Sequence, residues 1–212
     1  MSKMIDKCIE RIGRYNDLIG KTSGSANSNP EFIESQISAI KEELSEFYLA
    51  ESWHELELDA LCDIFVTCAG YVHIYDEVRS YDSFNCFVNV MDVCSYLSVQ
   101  LKKLSYEGIY KACVSYIDFM KENNFREYYF ADALVEVCDS NDSKACINSE
   151  EVKQTIEKYK NIGVKIHFNE LDDLFMPICS ESVVGLDGKH YFKGKGLKSI
   201  NYKKPNLKGF VK

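Results

Sequence analysis

Leu58-Asp59-Ala60-Leu61-Cys62-Asp63-Ile64-Phe65-Val66 is the stretch on which the fold turns. Extended over roughly Glu55 to Glu77, it sets Leu58, Leu61, Ile64, Phe65, Cys68, Val72 and Ile74 on one side of a helix. Ala60, Val66, Ala69 and Gly70 cover most of the rest. A helix that is apolar all round is a buried helix, so the fold class read here is all-α, a helical bundle. Asp59 and Asp63 lie four residues apart on that helix, which puts both on one face. An uncompensated carboxylate drawn into an interior is costly, so this pair calls for a counter-charge.

The preceding segment supplies the partner helix. Asn29-Pro30-Glu31 offers an N-cap, a proline at the first helical position and an acid in the first turn. Ile33, Ile37, Ile40, Leu44 and Phe47 then repeat at intervals of four, three, four and three, a bundle stripe. In Lys41-Glu42-Glu43-Leu44-Ser45-Glu46-Phe47, Glu43 and Glu46 sit at the edge of the stripe. A break at Ser52-Trp53-His54 lets the two helices fold back as an antiparallel hairpin, with Trp53 capping its end. The carboxylates of Glu43, Glu46, Asp59 and Asp63 then converge, and such an oxygen-rich set suits a hard divalent cation, Mg2+ with Mn2+ as a substitute. Acids at helical spacing are commonly a solvated face; the buried character of the second helix argues against that here.

Outward from this hairpin, further helices are expected over residues 4–19, 84–104, 107–122, 127–137 and 150–160, with a flexible connector at 21–29. A short hairpin is expected around Asp187-Gly188, and the remainder reads as loop. The 212 residues suit one domain, and 46% hydrophobic with 27% charged residues is ordinary globular composition. Nine cysteines without a Cys-x-x-Cys, most of them in apolar helical patterns, read as reduced thiols in a cytoplasmic protein. No apolar run of signal-peptide length opens the chain. The near-uncharged stretch Ala60–Tyr75 is too short to span a bilayer, so no membrane association is expected. His54, His73, His167 and His190 are scattered without ligand spacing. From Lys189 onward there are eight lysines and no acid, so the net −8 of the chain is −16 over residues 1–188. A basic tail on an acidic body points to an anionic ligand, and the body's charge argues against a stable nucleic-acid partner.

Glu42-Glu43-Leu44-Ser45-Glu46 followed by Asp59-Ala60-Leu61-Cys62-Asp63-Ile64-Phe65-Val66 and Gly70 resembles the all-α nucleoside triphosphate pyrophosphohydrolases, in their MazG-like and phosphoribosyl-ATP-pyrophosphohydrolase-like branch. Two later segments match in the same order. One is Glu136-Val137-Cys138-Asp139-Ser140-Asn141-Asp142-Ser143-Lys144. The other is the closing run of Asp187-Gly188-Lys189, Gly194-Lys195-Gly196-Leu197-Lys198 and Asn201-Tyr202-Lys203-Lys204-Pro205-Asn206-Leu207. Against that pattern, residues 76–130 look like an inserted helical region, 145–183 like an expanded loop, and 187–212 like a basic C-terminal loop tail. Many relatives carry Glu-x-x-Asp in the second acidic motif; Ala60 stands where that glutamate would be, which makes Asp59 a weaker ligand candidate than Asp63.

The resemblance implies Mg2+-dependent cleavage between the α and β phosphates of a (deoxy)nucleotide, giving a monophosphate and pyrophosphate. It implies Glu43, Glu46, Asp59 and Asp63 as metal ligands and Glu42 or Glu46 as the general base. Asn141, Lys144, Lys195, Lys198 and Asn201 are implied in phosphate and sugar contacts, with Tyr202 stacked on the base or packed beneath it. Relatives assemble as dimers or tetramers that complete a four-helix core, so a homo-oligomer is expected, with the 76–130 region as the alternative means of completing that core within one chain. The competing reading is a helical protein that binds or sequesters a nucleotide without turning it over.

Overall fold

The computed structural model describes residues 2–27, 29–50, 54–75, 87–123 and 128–211. Within these the helices are α1 (Ser2–Leu18), α2 (Pro30–Leu49), α3 (His54–Tyr75), α4 (Val90–Lys103), α5 (Tyr106–Glu122), α6 (Phe130–Asp142) and α7 (Ser149–Asn161). Two two-stranded sheets follow, β1 (Ile166–Leu171) with β2 (Leu174–Cys179) and β3 (Val183–Val184) with β4 (His190–Tyr191). The protein is therefore mostly helical, with a small β component. Helix starts follow side-chain caps. Asn29, Asn89, Ser105 and Asn148 accept from backbone N–H groups in the first turns of α2, α4, α5 and α7, satisfying donors a helix leaves without partners.

The chain divides into two compact units, Met1–Gly13, Thr22–Val137 and Asn206–Lys212 in the first and Arg14–Lys21 with Cys138–Pro205 in the second. In the first, α2 packs on α3, α4 on α5, α3 on α5 and α2 on α4, a closed ring of contacts that makes a four-helix bundle. The α2 stripe of Ile33, Ile37, Ile40, Leu44 and Phe47 is buried throughout. So are Val93, Cys94, Leu97 and Leu101 of α4. The Tyr116 hydroxyl of α5 donates to Leu61 O of α3 at 2.9 Å, a buried tie between the hairpins. α4 and α5, which fall within the 76–130 region, are thus the helices that pack with α2 and α3 in this chain.

α3 is longer than its uncharged sequence stretch suggests: its 22 residues are enough, by length and composition alone, to cross a membrane. Leu58, Leu61, Ile64, Phe65, Cys68 and Ile74 are instead buried in the bundle. The eight described cysteines are all buried, and burial pushes the thiols of Cys62, Cys68 and Cys94 up.

Several boundaries differ from the sequence reading. α4 begins at Val90 because Asn89 Oδ1 accepts from Asp92 N at 3.0 Å while Asp92 Oδ2 accepts from Val88 N at 3.2 Å, a reciprocal cap. α6 begins only at Phe130 because Tyr128 pairs with Val211 and Tyr129 N donates to Phe210 O at 2.9 Å. The last residues are accordingly built into the first unit, and Asn206 N adds a bond to Glu136 Oε1 at 3.1 Å. The described part of the connector is tied down, with a short 3-10 turn at Ser25–Asn27 and Gly24 N bonded to His73 O at 3.4 Å. The expected break at Ser52-Trp53 lies outside the described residues, as do Glu77, Tyr81, Phe84 and Glu127.

In the second unit, β1 and β2 form an antiparallel hairpin where the sequence reads as loop. Leu171 faces Leu174 across Asp172-Asp173, both with positive φ of 50° and 62°. A two-residue turn of this hand matches the twist of the strands, and aspartate tolerates it. The expected hairpin around Asp187-Gly188 is β3–β4, with Gly188 at φ 79°. Tyr159, Val164, Cys179 and Leu197 form one core cluster of this unit, and Leu18, Ala145, Met176 and Ile178 another.

Candidate functional site

Antiparallel pairing of α2 and α3 brings the acidic motifs together. Gln36 Nε2 donates to Thr67 O at 2.9 Å, and seven residues later Glu43 is in the electrostatic reach of Asp63 and Asp59. Numbering runs in opposite directions along the two helices, as a hairpin requires. Glu43 is half-buried, Glu42 and Glu46 are exposed, and Asp59 and Asp63 are partly buried on the otherwise apolar α3. Burial first, and then the negative charges of Asp63, Glu46, Glu42 and Asp59, push the Glu43 carboxyl from 4.5 up to about 8. Asp63 acts on it most strongly of the four and Asp59 least.

Five carboxylates therefore share one face of the α2–α3 hairpin. Their spacing is wider than a closed coordination shell: among the described residues no three His, Cys, Asp or Glu side chains stand close enough to hold a metal as they are. The donor chemistry nevertheless fits a hard divalent cation, because the set is all carboxylate oxygen. Mutual repulsion at Glu43 is the charge imbalance such an ion relieves, and the exposed Glu42 and Glu46 side chains have rotamer freedom with which to close on it.

Two residues absent from the sequence reading hold this face. Gln36, buried in the α2 stripe, fixes the register to α3. Thr67 Oγ1 donates back to Asp63 O at 2.9 Å and Ile64 O at 3.0 Å, so the hydroxyl one turn beyond Asp63 is satisfied within α3 itself. A polar residue inside an otherwise apolar stripe was the available signal for Gln36.

The residues expected to contact a nucleotide all lie in the second unit. Asn141 and Lys144 stand at the end of α6, with Lys144 Nζ bonded to Asn141 Oδ1 at 2.6 Å and 5.4 Å from the centre of the Tyr15 ring. Lys198 Nζ lies 4.2 Å over the Tyr202 ring. The two motifs meet through backbone: Ser199 N donates to Lys144 O at 3.0 Å, Ser199 Oγ to Ser143 O at 2.8 Å, and Lys203 N to Ser143 Oγ at 2.9 Å. Asn201 is exposed beside them, and its N–H donates to Ser199 Oγ at 3.1 Å. Lys195 is exposed on the turn that follows Gly194, with its carbonyl bonded to Cys179 N at 3.0 Å.

Tyr15 escaped the sequence reading. Burial, then the neighbouring Tyr202, pushes its hydroxyl up to about 12, so it stays a neutral donor near Lys144. Tyr15 and Ile19 account for the glycine at 196: a Cβ there would stand 3.0 Å from Ile19 Cγ2 and 3.4 Å from the Tyr15 hydroxyl. Asp187 of the Asp-Gly-Lys motif closes its own turn, accepting from the Tyr191 hydroxyl at 2.8 Å and Lys189 N at 3.2 Å. The Tyr191 bond holds the Asp187 carboxyl below its ordinary range.

The histidines do not gather. His54 meets Tyr128, His167 meets Ser180 and His190 stacks on Phe192. Comparison of the chain with protein-family models, with curated proteins and with solved structures finds no match.

Proposed function

We propose that this protein is a Mg2+-dependent nucleotide pyrophosphohydrolase of MazG-like type, cleaving a (deoxy)nucleotide between its α and β phosphates. The observation that carries the reading is the carboxylate face of the α2–α3 hairpin, where four acidic neighbours act on a half-buried Glu43. The order of the motifs along the chain supports it, as does the meeting of the Ser140–Lys144 and Lys198–Lys203 segments in the second unit.

In this reading Glu43, Glu46 and Asp63 would hold Mg2+, with Asp59 as a ligand or as a support to one. When bound, such an ion would supply charge neutralisation to the phosphate oxygens. Glu42 or Glu46, both exposed to solvent, accepts the proton of the attacking water. The water oxygen bonds to phosphorus as the α–β anhydride bond breaks, and pyrophosphate leaves with that bond's electron pair. Asn141, Lys144, Lys195, Lys198, Asn201 and Tyr202 are the nucleotide-binding residues of the same proposal, with the ammonium groups acting as point charges toward phosphate.

The test is pyrophosphate release across a panel of nucleoside triphosphates, with and without Mg2+. Glu46→Gln and Asp63→Asn should each lower turnover about a hundredfold or more while leaving the melting curve in place. Retention of most activity by both variants would end the metal-site assignment. Tight nucleotide binding with no product would instead select the sequestering protein.

A further inference from the structure

Thr155, Lys158 and Tyr159 occupy positions i, i+3 and i+4 of α7 and so share one face of that helix. This face grips three consecutive residues of a segment outside any helix or strand. Lys158 Nζ donates to Lys198 O at 3.0 Å and to Ser199 O at 3.1 Å. The Tyr159 hydroxyl donates to Lys198 O at 3.0 Å and accepts from Lys198 N at 3.1 Å. Thr155 Oγ1 accepts from Ile200 N at 3.0 Å. Thr155 and Tyr159 are 0% and 4% exposed, so water competes little for their bonds, while Lys158 is half-buried.

The same segment is also tied to Ser143 and Lys144. The Lys198–Ile200 backbone is thus held by two segments, α7 and Ser143–Lys144, while the Lys198 and Asn201 side chains remain exposed. A loop gripped through its peptide groups and open at its side chains is a rigid mount for ligand contacts.

The choice of a lysine for this grip is informative. A neutral donor would serve two carbonyls as well, whereas an ammonium brings charge. Burial, then the nearby charges of Lys198 and Lys189, weaken the hold of Lys158 on its proton. Positive charge gathered in this way is stabilised by an anionic ligand.

We propose that Lys158, with Thr155 and Tyr159, is a positioning residue that fixes the Lys198–Ile200 backbone and so presents the Lys198 ammonium to a phosphate group. The identification of the ligand as a phosphate anhydride rests on the function proposed above; the grip of α7 on residues 198–200 does not. None of these three residues falls within the motifs that carry the family resemblance, because all lie in the 145–183 region that departs from it.

Calorimetric titration of the full chain with inorganic tripolyphosphate tests the proposal without relying on turnover. Lys158→Gln should weaken binding about tenfold, and Lys158→Arg, which keeps the charge and the donors, should recover most of it. Lys160→Gln removes one charge from an exposed site on the same helix and should leave affinity within about twofold. In Mg2+-dependent turnover, Lys158→Gln should raise KM and leave kcat nearly unchanged. Should Lys158→Gln fail to fold, Tyr159→Phe, which deletes only the hydroxyl, should weaken tripolyphosphate binding in the same direction.

Wild-type affinity in Lys158→Gln, an equal loss in Lys160→Gln, or no recovery in Lys158→Arg would each overturn the assignment. The two proposals fail separately. Turnover without tripolyphosphate binding by the wild-type chain sinks the positioning role alone. Lys158-dependent binding without turnover on any nucleotide sinks the enzyme alone.

Discussion

Glu43 is the residue at which the chemistry of this protein is most concentrated. Glu42 and Glu46 beside it are exposed, yet Glu43 is half-buried and faces Asp63, so burial and repulsion both favour its protonated form. The consequence for stability has a definite sign. A carboxyl whose folded pKa lies above its unfolded value makes the folded state bind protons more tightly. The stability that Glu43 contributes is therefore fully present below about 4.5 and is lost as pH rises through about 8. In metal-free protein, thermal denaturation should show a melting temperature that falls as pH is raised across that window. Glu43→Gln, which cannot ionise, should flatten the decline. Mg2+ should raise the wild-type melting temperature most at the alkaline end, where the carboxylate is formed and available as a ligand. A melting temperature that rises through the window would contradict the crowding of charge around Glu43.

At the scale of elements, the buried Tyr116 hydroxyl joins α5 to α3 through Leu61 O. Tyr116→Phe should preserve the packing of the ring and leave that carbonyl without this donor, a loss of about 1–2 kcal/mol in denaturant unfolding. Elements with a periodic apolar face and a cap in the sequence could be read directly. The α2 stripe from Ile33 to Phe47 is buried as its spacing implies, and Asn29-Pro30 starts the helix. Asp59 and Asp63 could be assigned to a buried helix because the residues around them left no polar face. Elements decided by distant pairing could not be read in this way. Tyr128 and Tyr129 leave the helical pattern because Phe210 and Val211 bond to their backbone. The β1–β2 hairpin was hidden by Pro177, which argues against a strand, and by Asp172-Asp173 in place of a glycine-containing turn. The same limit explains the candidate site. The acidic motifs lie one hairpin apart and could be paired on paper, whereas the grip of Thr155, Lys158 and Tyr159 on residues 198–200 joins segments some forty residues apart in sequence.

For the whole molecule, the bundle bears on how many copies assemble. A lone α2–α3 hairpin with apolar residues on both sides of α3 would require a second hairpin, and in an oligomer a neighbouring subunit would supply it. Here α4 and α5 take that place. α4 packs on α2 and α5 packs on α3, and Val93, Leu97, Ile109, Cys113 and Met120 are buried in the contact. The paired helices also differ in chemistry: α2 and α3 bring five carboxylates to one face, while α4 carries Asp92 as its sole acid, bonded at its own first turn, and α5 carries Glu107, Asp118 and Glu122, with Glu107 paired to Lys111. In a bundle built in this way the apolar sides of α2 and α3 are covered by helices of the same chain. We therefore expect a monomer rather than the homo-oligomer that the resemblance implies. Light scattering coupled to size exclusion should give a mass near 24.3 kDa, and specific activity should not change as the protein is diluted. A stable dimer with activity lost on dilution would mean that a site residue comes from a second chain. The closed ring of α2 to α5 would then account for the core of the bundle but not for its chemistry.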